Sequence, residues 1–197
     1  MAATPTSPES AAMPTTFDRL LAEVDLAYAE GRIDRAEAAR RIARHAHDEM
    51  GTTRAGLWAI HGPRGDRAIV CLAAWDARAG DFVDLGAELR EREHPAYFAA
   101  MARVGLHACA DTHADPVTAS LGARYFAPKG IRSLIDASFS LNANLIGLLS
   151  CEHAQPREWL PQEAATMRRM AALIALHHSR YEQPGGGAHW LAPPLAA

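Results

Sequence analysis

Apolar residues near the start of the chain recur at helical spacing. Phe17, Leu20, Leu21, Val24 and Tyr28 fall on one face and Gly31 ends the run, which predicts a helix over 17–29. Asp34 followed by Glu37 has the form of a capping box. It predicts a second helix from there to about Met50, closed by Gly51 in a left-handed conformation. In that helix Ile42 and several alanines face inward, and Arg35, Arg40, Arg41 and Arg44 outward.

After Gly51 the period shortens. Ala55–His61 and Ala68–Trp75 are short apolar runs separated by Gly-Pro-Arg-Gly-Asp, which reads as a hairpin. Glu91 to Val104 returns to helical spacing on Tyr97, Phe98, Met101 and Val104, and Leu106–Ala110 reads as a strand. Pro116–Tyr125 is expected to form a short helix capped by Asp115. Arg132–Leu141 and Leu145–His153 flank the polar turn Asn142-Ala143-Asn144 as a second antiparallel hairpin. Pro161 opens a last helix to about Tyr181. Met167, Met170, Ile174 and Tyr181 lie on one face of it, and Leu173 and Leu176 widen its apolar surface. This order predicts an α+β fold, an antiparallel sheet with helices on one face and loops on the other. Residues 1–16 read as a disordered leader, 17–182 as one domain (helices over 17–50, sheet and pocket over 54–153, helix over 161–182), and 183–197 as a flexible tail.

Composition narrows the class. The net charge of −3, a single lysine (Lys129) and arginines interleaved with acids exclude a broad nucleic-acid surface. No apolar run approaches the roughly 18–20 residues of a membrane span, and the first residues lack the form of a signal peptide. Cys71, Cys109 and Cys151 are far apart and odd in number, without zinc spacing, so a reduced, cytoplasmic protein with no disulfide and no metal site is expected.

Several segments together resemble one family. They include Arg54-Ala55-Gly56-Leu57-Trp58, Cys71-Leu72, His94-Pro95-Ala96-Tyr97-Phe98 and Ala110-Asp111-Thr112-His113-Ala114-Asp115-Pro116. Tyr125, Gly130 to Ala137, Ile146-Gly147-Leu148-Leu149, Cys151-Glu152-His153 and Pro156-Arg157-Glu158-Trp159 follow in order. The order and spacing resemble the GAF domain family, in particular the GAF modules of bacterial sensor kinases. The resemblance implies an antiparallel sheet of five or six strands, terminal helices on one face, and a small-molecule pocket roofed by loops on the other. It implies a family whose ligands range over cyclic nucleotides, haem, bilins and small metabolites, so the fold does not name the ligand. The chain departs from similar proteins at Asp136-Ala137-Ser138-Phe139, where Asp-Ala-Pro-Ile is usual. It departs again at the Asn-Ala-Asn turn, and at Leu160 where a threonine cap is common.

A turn centred on Asn142–Ala143 pairs Leu134 with Cys151 and Asp136 with Leu149. Asp136, Ser138, Cys151 and His153 then share a face with Gly147, a small and polar surface suited to lining a cavity beside Ser133. Asp136 has a second reading, as an acceptor for loop backbone. Asp111 and Asp115 read either as ligand contacts or as caps of turns. Tyr97, Phe98 and Tyr125 read as aromatic walls or as core, and Trp75 joins the candidate ligand-binding set. His107 and His113 are the candidates for an axial haem ligand. Cys151-Glu152-His153 looks like a catalytic fragment, but adjacent strand residues point to opposite faces, so it reads as a structural strand end.

These readings lead to a stand-alone sensory module that is not an enzyme. It would bind a small molecule of unnamed identity, dimerise through helices 17–50 and 161–182, and signal to a partner protein in trans. Two alternatives follow from the resemblance: a free methionine-(R)-sulfoxide reductase working through cysteines, and a haem or bilin sensor. The reductase needs a nucleophilic thiolate with a resolving thiol beside it.

Overall fold

The structure, a computed structural model, describes residues 15–86, 88–181 and 189–191. The expected leader lies outside these residues except for Thr15 and Thr16.

Helices α1 (Thr16–Ala29) and α2 (Arg35–Met50) start on side-chain caps: Thr15 Oγ1 accepts from the N–H of Asp18 at 3.2 Å, and Asp34 Oδ1 from that of Glu37 at 2.8 Å. Gly51 ends α2 at φ 59°, a left-handed position that a side chain rarely adopts. Strands β1 (Arg54–His61) and β2 (Ala68–Asp76) form the first hairpin. Two short strands that hydrophobic periodicity does not reveal, β3 (Asp81–Phe82) and β4 (Glu88–Arg90), pair with opposite ends of β2. Helix α3 (Pro95–Val104) begins at its proline rather than at Glu91, and β5 (Leu106–Cys109) follows. The expected single helix over 116–125 is instead a 3₁₀ turn at Ala119–Leu121, a π turn at Gly122–Phe126 and a short α4 (Ala127–Lys129). Strands β6 (Ser133–Leu141) and β7 (Asn144–His153) and helix α5 (Pro161–Ser179) complete the chain's elements. Leu160 offers α5 no side-chain cap, but Glu163 Oε2 accepts the Leu160 N–H at 2.8 Å, which satisfies half of a capping box.

The sheet runs β3-β2-β1-β7-β6-β5, every pairing antiparallel, with β4 beside β2. Its two faces carry separate cores. On one, Leu57, Ile135, Leu149 and Cys151 pack against α2 and α5, with Ile42, Met167, Met170 and Ile174 supplying the helix side, and α1 lies on those helices. On the other, Trp58, Ile69, Leu134 and Leu148 pack under a roof of Tyr97, Phe98, Leu121, Tyr125 and Phe126.

Two expectations need correction. The β6–β7 register holds at the turn, where Leu141 pairs with Asn144 and Ser140 with Leu145. A bulge then shifts it, so that Phe139 pairs with Gly147, Asp136 with Ser150 and Ile135 with Cys151. The extra residue reverses the faces of β7 relative to the straight register, so Cys151 and His153 do not share a face with Asp136. Gly147 permits the shift: a Cβ there would lie 2.5 Å from the Phe139 ring and 2.6 Å from the Trp58 carbonyl oxygen. The second correction concerns the expected tail. His189, Trp190 and Leu191 are buried, Trp190 wholly, and return onto the α1–α5 side of the molecule. The remainder of 183–197 lies outside the described residues.

Candidate functional site

Strand alternation sends Arg54 and Trp58 of β1, Asp136 of β6 and Ser150 and Glu152 of β7 to the face opposite the helix layer. A buried polar network forms there. Tyr97 Oη donates to Asp136 Oδ2 at 2.5 Å, and Tyr125 Oη donates to Glu152 Oε1 at 2.8 Å. Arg54 ties Glu152 to Asp76: Nη1 donates to Glu152 Oε2 at 3.1 Å, and Nη2 to Asp76 Oδ2 at 2.5 Å. Arg54, Asp76, Asp136 and Glu152 are all buried, where an unpaired charge would be costly.

Burial sets the ionisation of this network. It pushes the Glu152 carboxyl up to about 7 against the opposing pull of Arg54. Burial also raises Asp136, opposed by the hydroxyls of Ser150 and Tyr97. Both tyrosines are held well above their usual range by burial and by the carboxylates they serve.

Two polar atoms at the centre lack a well-aligned partner, although the Ser150 hydroxyl approaches the Asp136 carboxylate. Asp136 Oδ1 and Trp58 Nε1 are buried without a well-aligned hydrogen bond, and both side chains line the small cavity between sheet and roof. Space that a water can enter there is only about 10 Å³, near the lower limit for holding one water. The remaining walls are apolar, among them Ile69, Leu121, Phe126, Leu134 and Leu148. Gly56 leaves the indole its room, since a Cβ there would approach Trp58 Nε1 to 2.8 Å.

Of the residues singled out in the sequence, Tyr97, Tyr125 and Asp136 meet at this cavity. Phe98 is fully buried behind it, in the same roof core. The others lie elsewhere. Trp75 is on the helix side, with the Arg44 guanidinium 4.0 Å from its ring centroid and Phe82 at 5.1 Å. Asp111 accepts from Arg132 at 3.0 Å and from the His113 N–H at 3.0 Å. Asp115 accepts from the Val117 N–H and the Thr118 hydroxyl, each at 3.0 Å, so both aspartates hold loop structure. Ser133 donates to the Gln155 carbonyl and Ser138 to that of Met101, each at 2.8 Å. Cys151 belongs to the helix-side core, and His153 Nδ1 faces the Gln155 N–H at 3.2 Å.

Ser150 and Glu152 are the site residues that the straight β6–β7 register misses, and Trp58 of β1 joins them at the cavity. Glu152 belongs to the cavity because it alternates with Cys151, and one inserted residue decides which of the two faces the roof.

The other candidate chemistries are placed by the same coordinates. His107 Nε2 lies 2.5 Å from Asp115 Oδ2, which engages the imidazole nitrogen that an axial ligand would use. Burial raises Cys71 and Cys109 to about 12, and raises Cys151 further. That suppresses the thiolate on which cysteine chemistry depends. Among the described residues no group of His, Cys, Asp or Glu side chains has metal-holding geometry.

The family model for the GAF domain matches residues 34–177. No curated protein sequence matches the chain. Among solved structures, the chain is similar to the phycoerythrobilin-bound GAF domain of a cyanobacterial phytochrome, with TM-score 0.61 and 18% identity over 86% of this chain and 99% of that one. It is also similar to the GAF domain of an Acinetobacter phosphoenolpyruvate-protein phosphotransferase, with TM-score 0.60 and 11% identity over 86% and 95% of the two chains. A third similarity is to the GAF domain of the cyanobacteriochrome TePixJ, with TM-score 0.57 and 18% identity over 75% and 90%.

Proposed function

The chain belongs to the GAF domain family, and from that premise we propose that it is a sensory module, not an enzyme, that binds a small molecule between the sheet and the 95–131 roof. The observation that carries this reading is the pair of unfilled polar atoms, Asp136 Oδ1 and Trp58 Nε1, buried together on one cavity. A buried acceptor and a buried donor left open each cost about 1–3 kcal/mol, and a ligand that supplies a donor and an acceptor recovers that cost. The ligand is therefore a compact, largely apolar molecule with one N–H or O–H for Asp136 and one acceptor for Trp58. Carboxylates on the site disfavour an anion.

Size favours a small metabolite over a tetrapyrrole. Ligand pockets usually offer roughly 300–1,000 Å³, and the cavity here admits about 10 Å³. The roof must therefore move to admit a ligand. Its 119–129 part, beyond α3 and β5, is built of 3₁₀, π and single-turn α segments that have little helical hydrogen bonding of their own to lose.

The signal leaves through the helix layer in this reading. Leu26 of α1 and Leu176 of α5 are both more than half exposed, an apolar pair on helices that touch each other. They suit a homodimer contact whose packing answers to the sheet, and a signalling partner in trans would read that contact.

A thermal-shift screen of neutral and cationic metabolites on the whole chain tests the binding reading. At least one compound should raise Tm saturably, and Asp136→Asn should abolish that shift. A screen without any saturable shift, or one whose shifts persist in Asp136→Asn, contradicts it.

A further inference from the structure

A much larger space than the roofed cavity lies away from it, at the end of the sheet where both hairpin turns meet α5. It has a volume of about 450 Å³, within the range of small-molecule sites. Its floor is apolar, made by Ile60 of β1, Leu145 of β7 and the docked Leu191. Its polar wall, among the described residues, is made by His61, Arg64 and Arg67 from the first hairpin and His178 from α5, and burial holds both imidazoles below their usual range, His178 at about 4.

The basic side chains differ in their freedom. Arg67 is committed to Glu91, with Nη2 to Oε1 at 2.7 Å and Nε to Oε2 at 2.9 Å. His178 Nδ1 meets His189 Nδ1 at 2.7 Å, which fixes the ring against the returning segment. Arg64 is exposed on the turn and has no ion pair among the described residues. Behind the wall, Arg35 reaches the Leu191 carbonyl through Nη2 at 3.3 Å, and its Nε is buried without a hydrogen bond. Burial holds His61 below its usual range, and the nearby Arg35 charge pushes it the same way. No carboxylate among the described residues lines the space, and Glu91 behind the turn is spent on Arg67 and on the Gly65 N–H.

We propose that this cleft binds a small organic anion, a carboxylate or phosphate headgroup on a short apolar body. Arg64 would hold the headgroup beside His61 and His178, with the body seated on Ile60, Leu145 and Leu191. The site is independent of the roofed cavity, with which it shares no lining residue. Because Leu191 forms one wall, an occupant also secures the returning 189–191 segment.

The test is an NMR titration of the whole chain with hexanoate, hexyl phosphate and uncharged 1-hexanol. The backbone amides of Gly62, Arg64 and Gly65 report the cleft. At least one anion should move them saturably, bind about tenfold or more tighter than the alcohol, and weaken about tenfold or more in Arg64→Glu. Affinity should fall as salt rises. A preference for carboxylate or for phosphate identifies the headgroup, and either supports the proposal. Arg64 is a solvent-facing turn residue, so the variant should retain the parent Tm. The proposal is overturned if neither anion gives a saturable shift, if the alcohol binds as well as both, or if Arg64→Glu binds like the parent.

Discussion

Tyr97 and Tyr125 each spend their hydroxyl on one buried carboxylate, so removing either hydroxyl exposes the cost of the carboxylate beneath it. Tyr97→Phe should destabilise the fold by about 1–3 kcal/mol, the cost of leaving a buried acceptor short of a partner, as read from urea midpoints at unchanged slope. Arg54→Leu should cost more, about 3–5 kcal/mol, because Glu152 and Asp76 both lose their cation. The same network gives stability a pH dependence. The Glu152 carboxyl is raised from 4.5 to about 7, so the folded state holds a proton that the unfolded state releases. Its contribution is complete below about 4.5 and is lost as pH rises through about 7. Glu152→Gln should flatten that descent in urea melts between pH 5 and pH 8. At this scale the sequence shows Asp136 and the tyrosines, because few other polar or aromatic residues stand in the strand and roof patterns. It hides Glu152, whose facing depends on a bulge that no residue type announces.

The elements whose ends carry local chemistry are legible from sequence alone. Asp34 and Gly51 bracket α2 by satisfying or bending the backbone at its ends, and Pro161 opens α5 where its missing N–H costs nothing. Elements made by tertiary contact are not legible: β3 and β4 are too short for a period and exist because β2 offers them edges. Residues 116–125 read as one helix in the sequence, but the fold makes a 3₁₀ turn at 119–121 and a π turn from 122 over the aromatic core, with α4 following at 127–129. The β6–β7 turn carries Asn142 and Ala143 at φ 50° and 63°, the left-handed pair of a tight hairpin. An alanine is strained there, so Ala143→Gly should stabilise the protein by about 1 kcal/mol, measured as a rise in Tm. Gly147→Ala should do the reverse, by about 1–3 kcal/mol, through contact with Phe139 and Trp58. The returning 189–191 segment is hidden in the sequence by the Gly-rich stretch before it. Its anchor is Trp190, wholly buried, with Nε1 donating to Asp25 Oδ1 at 2.9 Å, beside His177 Nδ1 at 2.6 Å from Asp25 Oδ2. Trp190→Ala should cost about 3–5 kcal/mol if the segment stays in place, and less if it is released. Hydrogen exchange at Leu191 separates the two outcomes.

Across the whole molecule, one sheet divides two environments. The helix side is a close-packed core with a buried cluster at Asp25 and His177 and an apolar outer pair at Leu26 and Leu176, and the roofed side holds the Arg54 network around an almost closed space. The division follows from strand alternation, and the fold class is legible in the sequence because period changes along the chain reproduce it. The α+β architecture follows from that order of elements, and the family from the resemblance of the segments between Arg54 and Trp159 and the family-model match over 34–177. The ligand does not, because the cavity's chemistry rests on two atoms placed by register and burial. If the helix layer is the dimer contact, Leu26→Glu with Leu176→Glu should yield a monomer in sedimentation while leaving ligand-induced Tm shifts intact.

The central claim is that the roofed cavity receives a ligand at Trp58 and Asp136. The most direct measurement is the indole N–H resonance of Trp58 during titration with compounds that carry both a donor and an acceptor. At least one compound should shift this resonance saturably while those of Trp75, Trp159 and Trp190 stay in place, and Asp136→Asn should remove the response. A Trp58 resonance that no such compound moves, or one that moves equally in Asp136→Asn, would contradict it.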